Sequence, residues 1–144
     1  MKKVLITLSF LMFLRLITVG QSDDPFVGKC ISVVGADAKY LKDFRVELGK
    51  TTAQNDLRYK ANMSLWKNTK YRFSMCNTDD SKGQLILSIK DEANQTVLSS
   101  FDQKTGKSYP LVDFICNKSG IYHLSYDFTD GQQGSALGVV CVVK

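Results

Sequence analysis

The chain has one imidazole, His123, and two glutamates, Glu47 and Glu92; its other carboxylates are aspartates set mostly in turn-like contexts. Nucleophilic catalysis of the Ser-His-Asp or Cys-His kind needs an imidazole held by a third group. His123 is expected mid-strand on an outward face, with no Gly-x-Ser-x-Gly elbow elsewhere and no glycine-rich phosphate loop ahead of a helix. Glycoside hydrolysis needs two carboxyls roughly 5 to 10 Å apart across a cleft, and no acid pair is marked out for that. Zinc is poorly served too, since no Cys-x-x-Cys occurs and His123 stands alone. These absences point to a protein that is not an enzyme. Calcium takes six to eight hard oxygens from Asp- and Asn-rich loops. Asp79 and Asp80 share one polar loop and Asp127 and Asp130 flank another, so these four are the candidate calcium ligands. Trp66, on the polar phase of its segment, and Tyr109, beside Pro110, are the candidate ligand-binding aromatics. A flat ring in a wet setting stacks on sugars or on peptide side chains.

The elements that must position these residues have a period of two. Leu57, Tyr59, Ala61, Met63 and Leu65 alternate with Arg58, Lys60, Asn62, Ser64 and Trp66, as in a strand with one wet face. The same alternation marks Phe44–Val46–Leu48, Tyr71–Phe73–Met75, Leu85–Leu87–Ile89, Val112–Phe114–Cys116 and Tyr122–Leu124–Tyr126–Phe128. The last strand, Leu137 to Val143, is apolar on both faces and is expected at a sheet centre. Turn-forming clusters separate the runs at 77–83, 91–94, 104–107, 117–120 and 130–134. Residues 49–56 read as a polar, mobile loop. Only Asp37 to Asp43 suggests a helical turn or two. Tyr40, Tyr71, Tyr122 and Tyr126 are expected in the core. Eight or nine strands in one domain predict an all-β, two-sheet antiparallel β-sandwich, jelly-roll-like.

The first residues read differently. Lys2 and Lys3 precede an apolar run from Val4 to Leu14, too short to span a bilayer and of the size of a signal-peptide core. Residues 1–20 are therefore expected to be a signal peptide, with cleavage after Gly20 leaving Gln21 as the new N-terminus and Ser22 as the other candidate, and 21–144 to be the exported domain, periplasmic or extracellular, with no transmembrane segment. Lys2, Lys3 and Arg15 leave with the leader, taking the formal charge from +5 to +2. A balance so close to neutral argues against nucleic acid as a partner. The four cysteines, Cys30, Cys76, Cys116 and Cys141, are an even number in an exported chain and suggest two disulfides; spacing does not choose among the three pairings.

A family resemblance lies in the C-terminal half. Tyr71-Arg72-Phe73-Ser74, then Gly83 to Asp91, Leu111 to Cys116, and Gly120-Ile121-Tyr122-His123-Leu124-Ser125-Tyr126 leading into Ala136 to Val142 form a series that resembles the bacterial pre-peptidase C-terminal domain. The chain as a whole is similar to small secreted proteins of Bacteroidetes-type bacteria. The resemblance implies a non-catalytic β-sandwich that serves as an accessory module of secreted enzymes, sometimes with bound calcium. These 144 residues carry no peptidase signature, and the family's acidic run is thin. The expectation is a secreted or periplasmic binding or accessory module whose ligand is a glycan or a protein. The alternative is an interaction subunit of a surface assembly, or an accessory to a separate secreted enzyme.

Overall fold

Each period-two segment becomes a strand, and the outer ends of the alternation become the rims of the sheets. The structure is a computed structural model and describes residues 24–53 and 56–144. The expected leader and its cleavage site lie outside the described residues, as do residues 54–55 of the expected mobile loop. The strands in chain order are β1 (Ala38–Leu48), β2 (Tyr59–Leu65), β3 (Lys70–Asn77), β4 (Leu85–Lys90), β5 (Thr96–Ser99), β6 (Phe101–Asp102), β7 (Lys107–Ser108), β8 (Leu111–Ile115), β9 (Gly120–Phe128) and β10 (Gly134–Val143). β6 and β7 form a two-residue ribbon of their own. The other eight strands make two antiparallel sheets, β1-β10-β3-β8 and β2-β9-β4-β5.

This is the jelly-roll order: except for the β4–β5 hairpin, successive members of the eight cross from one sheet to the other, and the last strand returns beside the first. The expected all-β sandwich is what the chain forms. Between the sheets lie Phe44, Val46, Tyr71, Phe73, Met75 and Val140 from one side and Leu65, Leu85, Leu87, Ile89, Leu124, Tyr126 and Phe128 from the other. At about 25 cal/mol per Å² of apolar area removed from water, each such side chain contributes on the order of 2 kcal/mol. Gly138 lets the sheets close: a Cβ there would sit 2.7 Å from the Tyr126 ring and hydroxyl.

Four expectations are corrected. Asp37 to Asp43 is not helical; from Ala38 onward it is the start of β1. The helix is α1, Pro25–Ser32, opened by Asp24, whose carboxylate accepts the Phe26 amide at 2.9 Å, and by a proline in the first turn. Tyr40 is not in the core. It is 41% exposed, because it precedes the irregularity in β1 and its hydroxyl donates to Asp43 at 2.6 Å. That bond and partial burial push its phenol up to about 12.

The fourth correction concerns the cysteines. Cys30 and Cys76 form a disulfide with their Cα atoms 5.7 Å apart, whereas Cys116 and Cys141 are free and buried. Cys116 follows the inward phase of β8 and belongs to the core between the sheets. Cys141 lies on the opposite face of its sheet, in a second apolar cluster with Leu137, Val139, Cys30 and Val34. A sheet stands between the two thiols, so they cannot pair. The second cluster is where α1 packs, with Phe26, Val27 and Ile31 against it. The disulfide ties α1 to β3. Arg45 reaches Asp24 at 2.7 Å, and Arg72 bonds the Val34 carbonyl at 2.8 Å and Asp37 at 2.9 Å. The helix is thus a third layer over one sheet, and the other sheet keeps a polar outer face.

Candidate binding face

The outward residues of β2, β9 and β4 form cross-strand rows on that polar face. Ser64 lies opposite Ile121. One step on, Asn62 and Lys90 flank His123; the next row places Lys60 and Ser88 on either side of Ser125. Rows are two residues apart along a strand, about 7 Å. The strip from Trp66, just beyond the end of β2, to Lys60 is therefore roughly 20 Å long.

Trp66 stands at the head of this strip and is 67% exposed. Its position is fixed by the chain around it. The Trp66 amide donates to the Tyr71 hydroxyl at 2.9 Å, the Lys67 amide to Ser119 Oγ at 2.7 Å, and the Asn68 amide to the Cys116 carbonyl at 2.8 Å. Asn68 takes the left-handed conformation (φ 64°) that closes the turn. Together with Ser64, Glu92, Ser119, Gly120 and Ile121, Trp66 lines a shallow depression. Glu92 Oε1 accepts the Ile121 amide at 3.2 Å, and it approaches over Gly120, where a Cβ would lie 3.0 Å from it. The rim thus combines one exposed aromatic, one exposed aliphatic (Ile121) and a carboxylate with an anchored backbone.

The middle of the strip is a second depression, about 280 Å³, lined by Asp56, Lys60, Asn62, Lys90, Asn94, His123 and Ser125 among others. His123 is exposed, as expected. Its Nδ1 is 2.6 Å from Asn62 Oδ1. An amide oxygen only accepts, so Nδ1 carries the proton and Nε2 is left for solvent or a ligand. Lys60 Nζ is bound at 2.7 Å to Asp56 and donates to Ser125 Oγ at 3.2 Å. The Lys60 hydrogen bond outweighs partial burial and holds Asp56 below the usual aspartate range.

The remaining candidates fall elsewhere. Tyr109 is 43% exposed, with Lys107 Nζ 5.1 Å from its ring centre. The Pro110 carbonyl accepts from Met75, near the end of β3, while Thr69, just before β3, accepts from Cys116. Trp66 and Tyr109 therefore stand at opposite ends of the sandwich and do not share a site. The four aspartates lie at the Tyr109 end, but they do not form a ligand set. Asp127 is inside β9, 7% exposed, with both oxygens bonded by the Arg58 guanidinium at 2.9 to 3.2 Å. Burial raises its carboxyl, but the Arg58 guanidinium and the Phe128 and Arg58 amides outweigh burial and hold it below the usual range. Asp79 is fully exposed, 3.9 Å from Lys29, and Asp80 accepts from Thr78 Oγ1. Asp130 is exposed in a left-handed turn (φ 57°). Among the described residues no three acidic, histidine or cysteine side chains converge on a metal position.

The strip's other members, Ser64, Asn62, Lys60, Lys90, Glu92 and Ile121, were not singled out from sequence. The outward phase of each strand was readable there. That β2, β9 and β4 lie side by side was not, and only that adjacency makes a surface of them. Comparison with known proteins finds no family model that matches the chain and no matching curated protein.

Proposed function

We propose that the protein is a secreted or periplasmic, non-catalytic binding module, and that its ligand is a glycan laid along the polar face of β2, β9 and β4. The observation that carries this reading is Trp66: a large, wet, backbone-anchored aromatic at the head of a strip of amide, hydroxyl, imidazole and ammonium groups. Aromatic stacking on sugar faces combined with polar groups for hydroxyls suits a polyhydroxylated chain. The strip's length matches a ligand of several rings. The Cys30–Cys76 disulfide fits an oxidising compartment, and no described helix is long and apolar enough to cross a membrane. The accessory role implied by the pre-peptidase C-terminal resemblance belongs to the same proposal.

The test is calorimetric titration of soluble cell-wall and surface oligosaccharides against the protein and Trp66→Ala. Binding that Trp66→Ala abolishes supports the reading; silence across the oligosaccharides, or binding indifferent to Trp66→Ala, refutes it. A protein partner is the second reading, favoured by Leu111 and Ile115. Both are exposed, at 42% and 62%, on the edge strand β8, where a partner strand could pair. Loss of a stoichiometric envelope partner on Ile115→Lys, with glycan binding absent, would favour that reading over the first.

A further inference from the structure

The depression beyond the Trp66 rim has an electrostatic asymmetry that a neutral sugar would not use. The one carboxylate lining it, Asp56, is paired with the Lys60 ammonium at 2.7 Å, and Glu92, on the Trp66 rim, accepts the Ile121 amide at 3.2 Å. Asp91, in the adjoining turn, accepts the Gln95 amide at 2.9 Å. Lys90 lines the same depression; its charge acts on Asp56 at longer range, but no carboxylate lies within salt-bridge distance of its ammonium among the described residues. Lys90 and His123 are direct cross-strand partners. Asn62 orients the His123 ring, its Oδ1 accepting the hydrogen bond from Nδ1–H. The lining therefore carries two ammoniums against one carboxylate, and the Lys90 ammonium, beside an oriented imidazole, forms no ion pair.

We propose that this depression reads a carboxylate carried by the bound saccharide, so that the module selects acidic, uronate-type glycans, with Lys90 supplying the charge and the His123 Nε2 lone pair accepting a neighbouring sugar hydroxyl. This deepens the glycan reading and rests on it. Trp66 would stack a ring at the head of the strip. The carboxylate-bearing ring would sit one or two rows on, within about 7 to 13 Å, a spacing that adjacent or next-adjacent residues of one chain can span. An ammonium that is not already neutralised gains more from a ligand carboxylate than one that must first leave its partner. Lys90 is therefore the reader and Lys60 is not.

The test uses short oligouronates of gluco, galacto and manno configuration, each paired with its methyl ester, which keeps the ring and removes the charge. Binding to the protein, to Lys90→Gln and to Trp66→Ala is measured by calorimetry at low and at physiological salt. At least one acid is expected to bind roughly tenfold more tightly than its ester at low salt, with the margin shrinking as salt rises. Lys90→Gln is expected to erase that margin by weakening the acid roughly tenfold more than the ester, and Trp66→Ala to weaken acid and ester alike. Acid and ester binding equally, with Trp66→Ala still damaging, overturns the carboxylate inference and leaves the glycan reading standing. An acid preference that survives Lys90→Gln also overturns the inference, since the charge is then read elsewhere. No binding by any acid or ester sinks the carboxylate inference; neutral oligosaccharides then decide the glycan reading. Circular dichroism of Lys90→Gln, an exposed polar exchange, confirms that a lost preference is not a lost fold.

Discussion

Replacing both Cys30 and Cys76 by alanine tests how the helical layer is held. The disulfide joins residues 46 positions apart. In the chain-entropy account a loop of that length constrains the unfolded chain by about 4 kcal/mol at 25 °C. For a domain of this size that corresponds to a fall in Tm of roughly 15 °C. The loss should also have a local part. α1 has eight residues, too few to be stable alone. Without the disulfide it is held by Phe26, Val27, Ile31 and Val34 on the outer apolar strip, by the Arg45–Asp24 pair and by Arg72. The double variant retains only Cys116 and Cys141, which report two different layers. Cys141 lies under α1 and Cys116 between the sheets. Urea unfolding should give the global loss. Maleimide labelling below the transition, read site by site by mass spectrometry, should modify Cys141 well before Cys116. A stability loss under about 1 kcal/mol, or equal protection of the two thiols until global unfolding, would refute the view that the disulfide pins α1 to the sheet.

Other outcomes follow from the same geometry. Asp127→Asn should cost roughly 2 kcal/mol by leaving the Arg58 guanidinium without its carboxylate, measured by urea melts. Because the Asp127 carboxyl is held below its ordinary value of 3.8 when folded, its contribution is complete above that value and lost as pH falls through the lower folded one. The variant should therefore show a flatter acid limb of stability against pH than the parent. Millimolar calcium or EDTA should leave Tm unchanged in differential scanning calorimetry, since Asp127 is occupied by Arg58 and the other three acids do not converge. Gly138→Ala should destabilise by about 1 to 3 kcal/mol, because the new Cβ meets the rigid Tyr126 ring at 2.7 Å. Trp66→Ala should change stability by no more than about 0.5 kcal/mol, as expected of an exposed side chain, while removing glycan affinity.

Strand identity was legible because one buried and one wet face print a period of two, and β2, β3, β4, β8 and β9 all carry it. Asp127 shows the limit of that signal. Its place beside a turn suggested a loop ligand, but the strand runs through it, and its partner Arg58 is 69 residues away in the chain. No local pattern announces an ion pair made by two strands distant in sequence. The Trp66 rim was half legible for the same reason. The phase of β2 put Trp66 outward, while Glu92 and Ile121 reached it only through the pairing of β2 with β9 and the turn after β4.

The helix is not legible from periodicity because α1 is only two turns long and begins within a few residues of the expected leader. A stronger signal lay at the other end of the sequence. A strand apolar on both faces needs cover on both faces. In a two-sheet sandwich the second sheet covers one, which leaves Leu137, Val139 and Cys141 to be buried by something else. All three are within 1% of full burial, and the only described element available to cover them is the segment between Asp24 and Val34. The helix caps required there are present in sequence: Asp24 ahead of Pro25, then apolar residues at 26, 27, 30, 31 and 34, the spacing of one helical face. Cys30 falls in the middle of that face, which makes it the cysteine able to reach the outer surface of the β10 sheet, where Cys76 lies beside Leu137. The doubly apolar last strand, the short capped helix and the choice of disulfide are thus one feature. Polar substitution at Val139 should expose it as such, loosening α1 and unmasking Cys141 to maleimide with the disulfide still intact. Protection of Cys141 in Val139→Asn would mean that the disulfide alone, and not the apolar strip, keeps the helix in place.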